Sequence, residues 1–326
     1  MKAIALLMPE EYLYAHRYFR PLITPNGDDT WMGIKFIVNP KAGNFDAVVV
    51  HQSTQSLDQS YTLCCPPTKT LLVLKEPPDI LFLPEAYTSQ FYCTLGQDKR
   101  VRSKKQIFSQ AGHHWFVEVG IHETEVLNNQ KTKLISAIVS NKTDTEGHRK
   151  RLRFVQKLKE HFADQLDWFG RGVRELEPRK LNGLLNYKYH IVLENGRWND
   201  YWTEKLADSF VANCFPFYWG APNIHQYFKP DQLRLIDIEN IEASIQTIEQ
   251  AISQNLYEVS QEAIANARAK VFDEYHPYQT YLNILNQLPA SMPSQVTIRP
   301  HREFKYSFKA RCQVKLQHYS KNLFQV

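Results

Sequence analysis

The sequence predicts an α/β protein built from two Rossmann-like halves. Three observations carry that expectation. The chain has 326 residues, too many for one ordinary domain and suited to two. Short apolar runs alternate with helical stretches, and this happens once in each half. Apolar residues make up 43% and aromatic residues 13% of the composition, enough for a packed core and unlike a disordered or fibrous chain.

The first strand is Ala3–Met8. Its apolar run stops at Pro9-Glu10-Glu11 and lacks a cleavage region, so a buried strand is expected rather than a signal peptide. No later apolar run approaches the roughly 18 residues of a membrane span, and the expectation is a cytoplasmic protein. Ile34–Val38, Ala47–His51 and Leu71–Lys75 follow as strands. Several are continuous apolar runs, as strands covered on both faces require. His114–Gly120 reads as a further strand, and the polar stretch Glu123–Lys133 as a linker. A second series then begins, with strands at Leu134–Val139, Leu166–Phe169, Tyr189–Leu193, Phe215–Trp219 and Leu233–Ile238. Helical periodicity marks Arg149–Phe162 and Thr203–Asn213, and helix formers fill Asn240–Leu288 with a break at His276-Pro277. The expected division is a first domain over residues 1–130, a second over 131–291 and a basic tail over 292–326. A cleft between two open sheets is the natural ligand site, because such sheets bind beyond the carboxyl ends of their strands.

Charge narrows the function. The net charge is +5, but the tail from Met292 carries seven basic residues against the single acid Glu303. The body is therefore near neutral and has no basic field for nucleic acid. The tail, also aromatic, suits docking on an anionic membrane surface; packing back on the domains and simple solvation are the alternatives. The cysteines (Cys64, Cys65, Cys93, Cys214 and Cys312) are odd in number and hold no C-x-x-C pair. That is neither a disulfide framework nor a zinc site, and free thiols are expected. His113, His114 and His122 lack a compatible ligand pattern, and Asp28-Asp29 is a turn-like pair rather than a D-x-D triplet. No metal site is expected.

Chemistry concentrates in Tyr187–Pro222. An apolar strand, Ile191-Val192-Leu193, runs into Glu194-Asn195 and a polar loop, which feeds a helix opening on Thr203-Glu204-Lys205. Thr203 is a suitable N-cap. A lysine in the first turn opposes the helix dipole, and an anionic ligand at the helix N-terminus would account for it. A surface capping arrangement of Glu204 and Lys205 is the competing account.

Three pieces in order, Tyr187-Lys188-Tyr189 through Glu194-Asn195, Tyr201-Trp202-Thr203-Glu204-Lys205-Leu206 and Pro216-Phe217-Tyr218-Trp219-Gly220-Ala221-Pro222, together resemble the signature block of the family 10 α1,3/α1,4-fucosyltransferases. Leu193 departs from the phenylalanine usual there, an apolar exchange. Upstream, Ile138-Val139-Ser140-Asn141 with Arg151, Phe154 and Leu158 is similar to that family's first donor-domain strand and helix. The resemblance covers the second half well, the first thinly and the tail hardly at all.

The resemblance implies a GT-B fold with two Rossmann-like domains facing across a cleft, the acceptor in the first and the donor in the second. It implies inverting, metal-independent transfer of L-fucose from GDP-β-L-fucose to a glycan hydroxyl, with no cofactor beyond the donor substrate. Without a metal, protein cations and helix dipoles must neutralise the leaving diphosphate. Arg151 and Lys205 are the residues implied for that task, with Arg149 and Arg153 as rivals to Arg151. Asn195, Tyr201 and Glu204 are implied in the nucleotide-sugar site. Inversion also needs a base for the acceptor hydroxyl. Leu71–Lys75 ends in Glu76 ahead of Pro77, similar to the family's catalytic glutamate, so Glu76 is the candidate base; Glu118 and Glu85 are weaker ones. A transferase of another nucleotide-activated deoxysugar, or a silent nucleotide-sugar-binding protein, are the alternatives.

Overall fold

The computed structural model describes residues 1–123, 129–143, 146–176 and 179–306, which fall into two compact units. The first holds Met1–His113 together with the chain from His276 onward, and the second holds His114–Tyr275. The boundaries expected at 130/131 and 291/292 are thus displaced to 113/114 and 275/276.

The first unit opens with β1 (Ala3–Leu7), α1 (Glu10–Ile23), β2 (Thr30–Trp31), β3 (Ile34–Val38), β4 (Ala47–Gln52), β5 (Tyr61–Cys65), β6 (Thr70–Leu74), β7 (Cys93–Leu95) and β8 (Lys105–Ile107). Seven strands form one sheet in the order β2-β3-β1-β4-β6-β7-β8, parallel throughout except between β2 and β3. Alternate residues serve opposite faces. Ala5, Leu7, Val48, Val50, Leu72 and Leu74 join Tyr61, Tyr87 and Phe91 in one buried cluster, while Ile4 and its register partner Phe36 serve the other face. Burial on both faces explains the unbroken apolar runs of β1, β4 and β6.

The second unit contains β9 (Lys133–Ile138), α2 (Glu146–Phe162), β10 (Leu166–Phe169), β11 (Tyr187–Leu193), α3 (Glu204–Val211), β12 (Phe215–Trp219), β13 (Arg234–Leu235), α4 (Ile241–Ser253) and α5 (Gln261–Phe272). Its five strands are parallel, in the order β10-β9-β11-β12-β13. The order second-first-third-fourth-fifth is a doubly wound sheet whose switch point lies between β9 and β11. The expected strand at Leu233–Ile238 shrinks to the two residues of β13.

His114–Gly120, expected as a strand of the first half, is an irregular loop of the second unit. Two of its amides bond to a side chain instead of a neighbouring strand. Asp208 Oδ1 accepts from the N–H groups of Phe116 (2.6 Å) and Val117 (3.0 Å), and Trp115 Nε1 donates to the Val119 carbonyl.

From His276 the chain returns to the first unit as α6 (Pro277–Asn286) and β14 (Ser294–Ile298). Tyr278 stacks on Phe36 with centroids 4.0 Å apart, and β14 pairs antiparallel with β5. Residues 292–306 are therefore part of the first unit rather than a tail; residues 307–326, with Cys312 and most of the tail's basic and aromatic side chains, lie outside the described residues. Cys64, Cys65, Cys93 and Cys214 are free thiols. Among the described residues no helix is long and apolar enough to cross a membrane, and no group of three or more His, Cys, Asp or Glu could hold a metal ion.

Candidate functional site

A cavity of about 230 Å³ lies at the switch point of the second unit, lined by Ile138, Val139, Ser140, Lys142, His148, Arg151, Leu193, Asn195 and Lys205. Val139 and Ser140 follow the carboxyl end of β9, and Asn195 follows that of β11. Lys142, Arg151 and Lys205 line it with no carboxylate among the lining residues. An electropositive recess at strand ends beside the start of a helix is suited to a phosphate or diphosphate.

Each cation is set by local structure. Arg151 lies on the buried stripe of α2 with Phe154, Val155, Leu158 and Phe162, so the amphipathic spacing that docks the helix also carries the guanidinium inward. Arg151 Nη1 donates to Asn195 Oδ1 at 2.8 Å. Burial pushes its pKa down while the charge of Glu194 opposes that fall. Arg153 is exposed, and Arg149 donates to the Thr143 carbonyl instead; neither lines the cavity.

Lys205 sits in the first turn of α3, whose N-cap is Thr203. Its Nζ lies 2.7 Å from Glu204 Oε1 and 3.8 Å from Glu194 Oε2. Burial alone would lower its pKa, and the two carboxylates outweigh that and raise it, so the ammonium stays charged. Glu194 is fully buried and accepts from both Thr203 N (2.8 Å) and Thr203 Oγ1 (2.7 Å). Burial raises its own pKa. The glutamate thus holds the cap that starts α3 and the cation beside it.

Of the residues implied for the donor, Arg151, Asn195 and Lys205 come together around the cavity. Glu204 is close by as the ion-pair partner of Lys205, and Tyr201 is buried in the preceding loop; neither is a lining residue. Lys142, His148 and the structural role of Glu194 were missed in the sequence, although Glu194 directly follows the apolar run Ile191-Val192-Leu193. Glu76 belongs to the first unit, two residues beyond β6 and half-buried. Glu118 accepts from the N–H groups of Lys180 and Leu181, a capping role, and Glu85 lies exposed 3.7 Å from Arg102.

Two α/β units with largely parallel sheets are the GT-B fold. A solved α1,3-fucosyltransferase superposes with a TM-score of 0.51 at 15% identity, over 80% of this chain and 81% of that one. Residues 128–256 match the model of glycosyltransferase family 10 (fucosyltransferase), C-terminal. The α-(1,3)-fucosyltransferase FucT of Helicobacter pylori is 32% identical over 66 residues, 20% of this chain and 14% of that protein. GDP-fucose protein O-fucosyltransferase 3 of Danio rerio is 26% identical over 121 residues, 33% of this chain and 26% of that protein. The matched segments thus span much less than two thirds of these relatives' length.

Proposed function

We propose that the protein transfers L-fucose from GDP-β-L-fucose to a hydroxyl of a glycan acceptor, in an α1,3 or α1,4 linkage and with inversion. The observation that carries this reading is the cavity at the β9/β11 switch point, where Arg151 and Lys205 converge inside a family 10 domain. In this mechanism the acceptor oxygen attacks the anomeric carbon as the bond to the GDP oxygen breaks. Arg151, Lys205 and the first-turn N–H groups of α3 offset the charge that grows on the diphosphate, so no metal is required for that task. Glu76 takes the acceptor proton. Its place just beyond the carboxyl end of a buried parallel strand supports that role. Surface polysaccharide or glycoconjugate synthesis is the proposed setting, with peripheral membrane contact through the basic residues after Met292.

The test is GDP release and product mass with GDP-fucose and a panel of β-galactosyl and N-acetyllactosamine-type acceptors, in EDTA. The expected result is an acceptor-dependent gain of one deoxyhexose. Glu76→Gln lowers kcat by about 10²- to 10⁴-fold, and Arg151→Ala lowers it by about 10²- to 10³-fold. Transfer that stops in EDTA removes the metal-free mechanism. A different nucleotide-activated deoxysugar that reacts where GDP-fucose does not replaces the donor.

A further inference from the structure

A second cavity, of about 280 Å³, lies in the first unit and is lined by Leu13, His16, Arg17, Arg20, Asp29, Val38 and Asn39. It is framed by one side of α1 and the carboxyl end of β3. Three of its side chains are cationic or able to become so, against one carboxylate.

That carboxylate is already satisfied. Asp29 accepts from the Tyr278 hydroxyl at 2.6 Å, lies 2.9 Å from His16 Nε2 and has Arg20 Nη1 at 3.6 Å. Arg17 is exposed, and Arg20 Nε is buried without a hydrogen-bond partner among the described residues. The cavity therefore keeps guanidinium donors that the protein does not use. Its walls are fixed as well. Asn39 accepts from Met8 N and donates to the Met8 carbonyl, both at 2.9 Å. Asp29 and Asn39 both hold positive φ, at 60° and 45°, a conformation that these residue types tolerate best after glycine. Beside Arg17 on α1, Tyr14 is 81% and Tyr18 50% exposed, flat faces of the kind on which sugar rings pack.

We propose that this cavity is an acceptor subsite for an oxyanion, a carboxylate or phosphate, carried by the glycan. Arg17 and Arg20 bind it through forked, charge-assisted hydrogen bonds. The inference rests on the reading that the chain uses a glycan acceptor. In the sheet, β3 and β6 are separated by β1 and β4, so at about 4.8 Å per strand the cavity stands roughly 14 Å across the sheet from the strand that leads to Glu76. The oxyanion therefore belongs to a sugar other than the one that receives fucose.

The test is calorimetric titration of the full chain, without donor, using three matched tetrasaccharides that differ in one terminal residue: glucose, glucuronic acid or glucose 6-phosphate. The two acidic forms are expected to bind about tenfold more tightly than the neutral form at low salt. The advantage shrinks in Arg17→Gln and disappears in the double substitution with Arg20→Gln, both checked for unchanged thermal unfolding. The acidic form that gains more identifies the source of the oxyanion. Equal binding of all three, no binding of the acidic forms, or a preference that survives the double substitution overturns the subsite. A parallel titration with GDP-fucose reads the donor proposal separately, since neither arginine belongs to the second unit.

Discussion

Lys205 and the buried Glu194 show how one pair serves both stability and chemistry. Glu194 has no exposed surface, and its partners are Thr203 and Lys205. Removing the cation leaves a buried carboxylate short of countercharge, so Lys205→Met is expected to cost about 3–5 kcal/mol in denaturant unfolding. Adding Glu194→Gln should return part of that loss, because the two residues share one interaction. Strictly additive losses would show the pair to be independent. Lys75 offers a second test with a defined pH sign. Its Nζ is buried and donates to the carbonyls of Ala111 and Gly112, each at 2.6 Å, and burial lowers its pKa to about 7. Between pH 7 and its ordinary value near 10.5 the unfolded chain binds the extra proton, so stability rises with pH in that window. The slope approaches about 1.4 kcal/mol per pH unit. Lys75→Met should abolish that rise while leaving the rest of the profile in place; an unchanged slope would assign the rise to other groups.

At the scale of elements, the motif glycine of Trp219-Gly220-Ala221-Pro222 has a steric cause. A Cβ on Gly220 would collide with the Tyr218 hydroxyl and stand 2.6 Å from Glu194 Cγ. The end of β12 thus presses on Glu194, the residue that holds the Thr203 cap of α3. Gly220→Ala is expected to cost about 1–3 kcal/mol through overpacking and to weaken GDP binding, which a thermal melt and a nucleotide titration would read; intact binding at lowered stability would separate the two roles. The same elements show what sequence can and cannot reveal. Strands β3, β10 and β12 fall where apolar runs place them; β12 is buried almost throughout, while β3 is anchored by Phe36 and β10 by Leu166 and Phe169. The loop at His114–Gly120 has the alternation of a strand, yet its Phe116 and Val117 amides are held by Asp208, 92 and 91 positions away, and no local pattern reports that. Helix α1 escapes for the opposite reason. Only Ile23 of its residues is fully buried and Pro21 interrupts it, so the apolar stripe that marks a docked helix is faint. Around the cavity, Arg151, Asn195 and Lys205 were legible through motif spacing, whereas Lys142 and His148 converge only through the crossover from β9 to α2.

At the scale of the whole molecule, the chain passes from the first unit to the second at residue 113 and returns at 276. The first unit is therefore closed by its own C-terminal segment. Tyr278 stacks on Phe36 and bonds Asp29, Lys69 Nζ donates to the carbonyls of Leu285 and Leu288, and β14 is the antiparallel partner of β5. Tyr278, Tyr281, Leu282, Leu285 and Ile298 are all buried. At about 1.5–3 kcal/mol for each buried side chain, their loss is comparable to the roughly 5–15 kcal/mol that stabilises a typical domain. A chain ending at Tyr275 should therefore lose amide-exchange protection in β1, β4 and β6. The second unit keeps all five of its strands and both arms of its cavity in that truncation, so β9, β11 and β12 should stay protected and GDP should still bind. Protection retained across β4 and β6 would mean that the first unit closes without α6 and β14. Collapse of protection in both units together would mean instead that the second unit depends on the first for its fold.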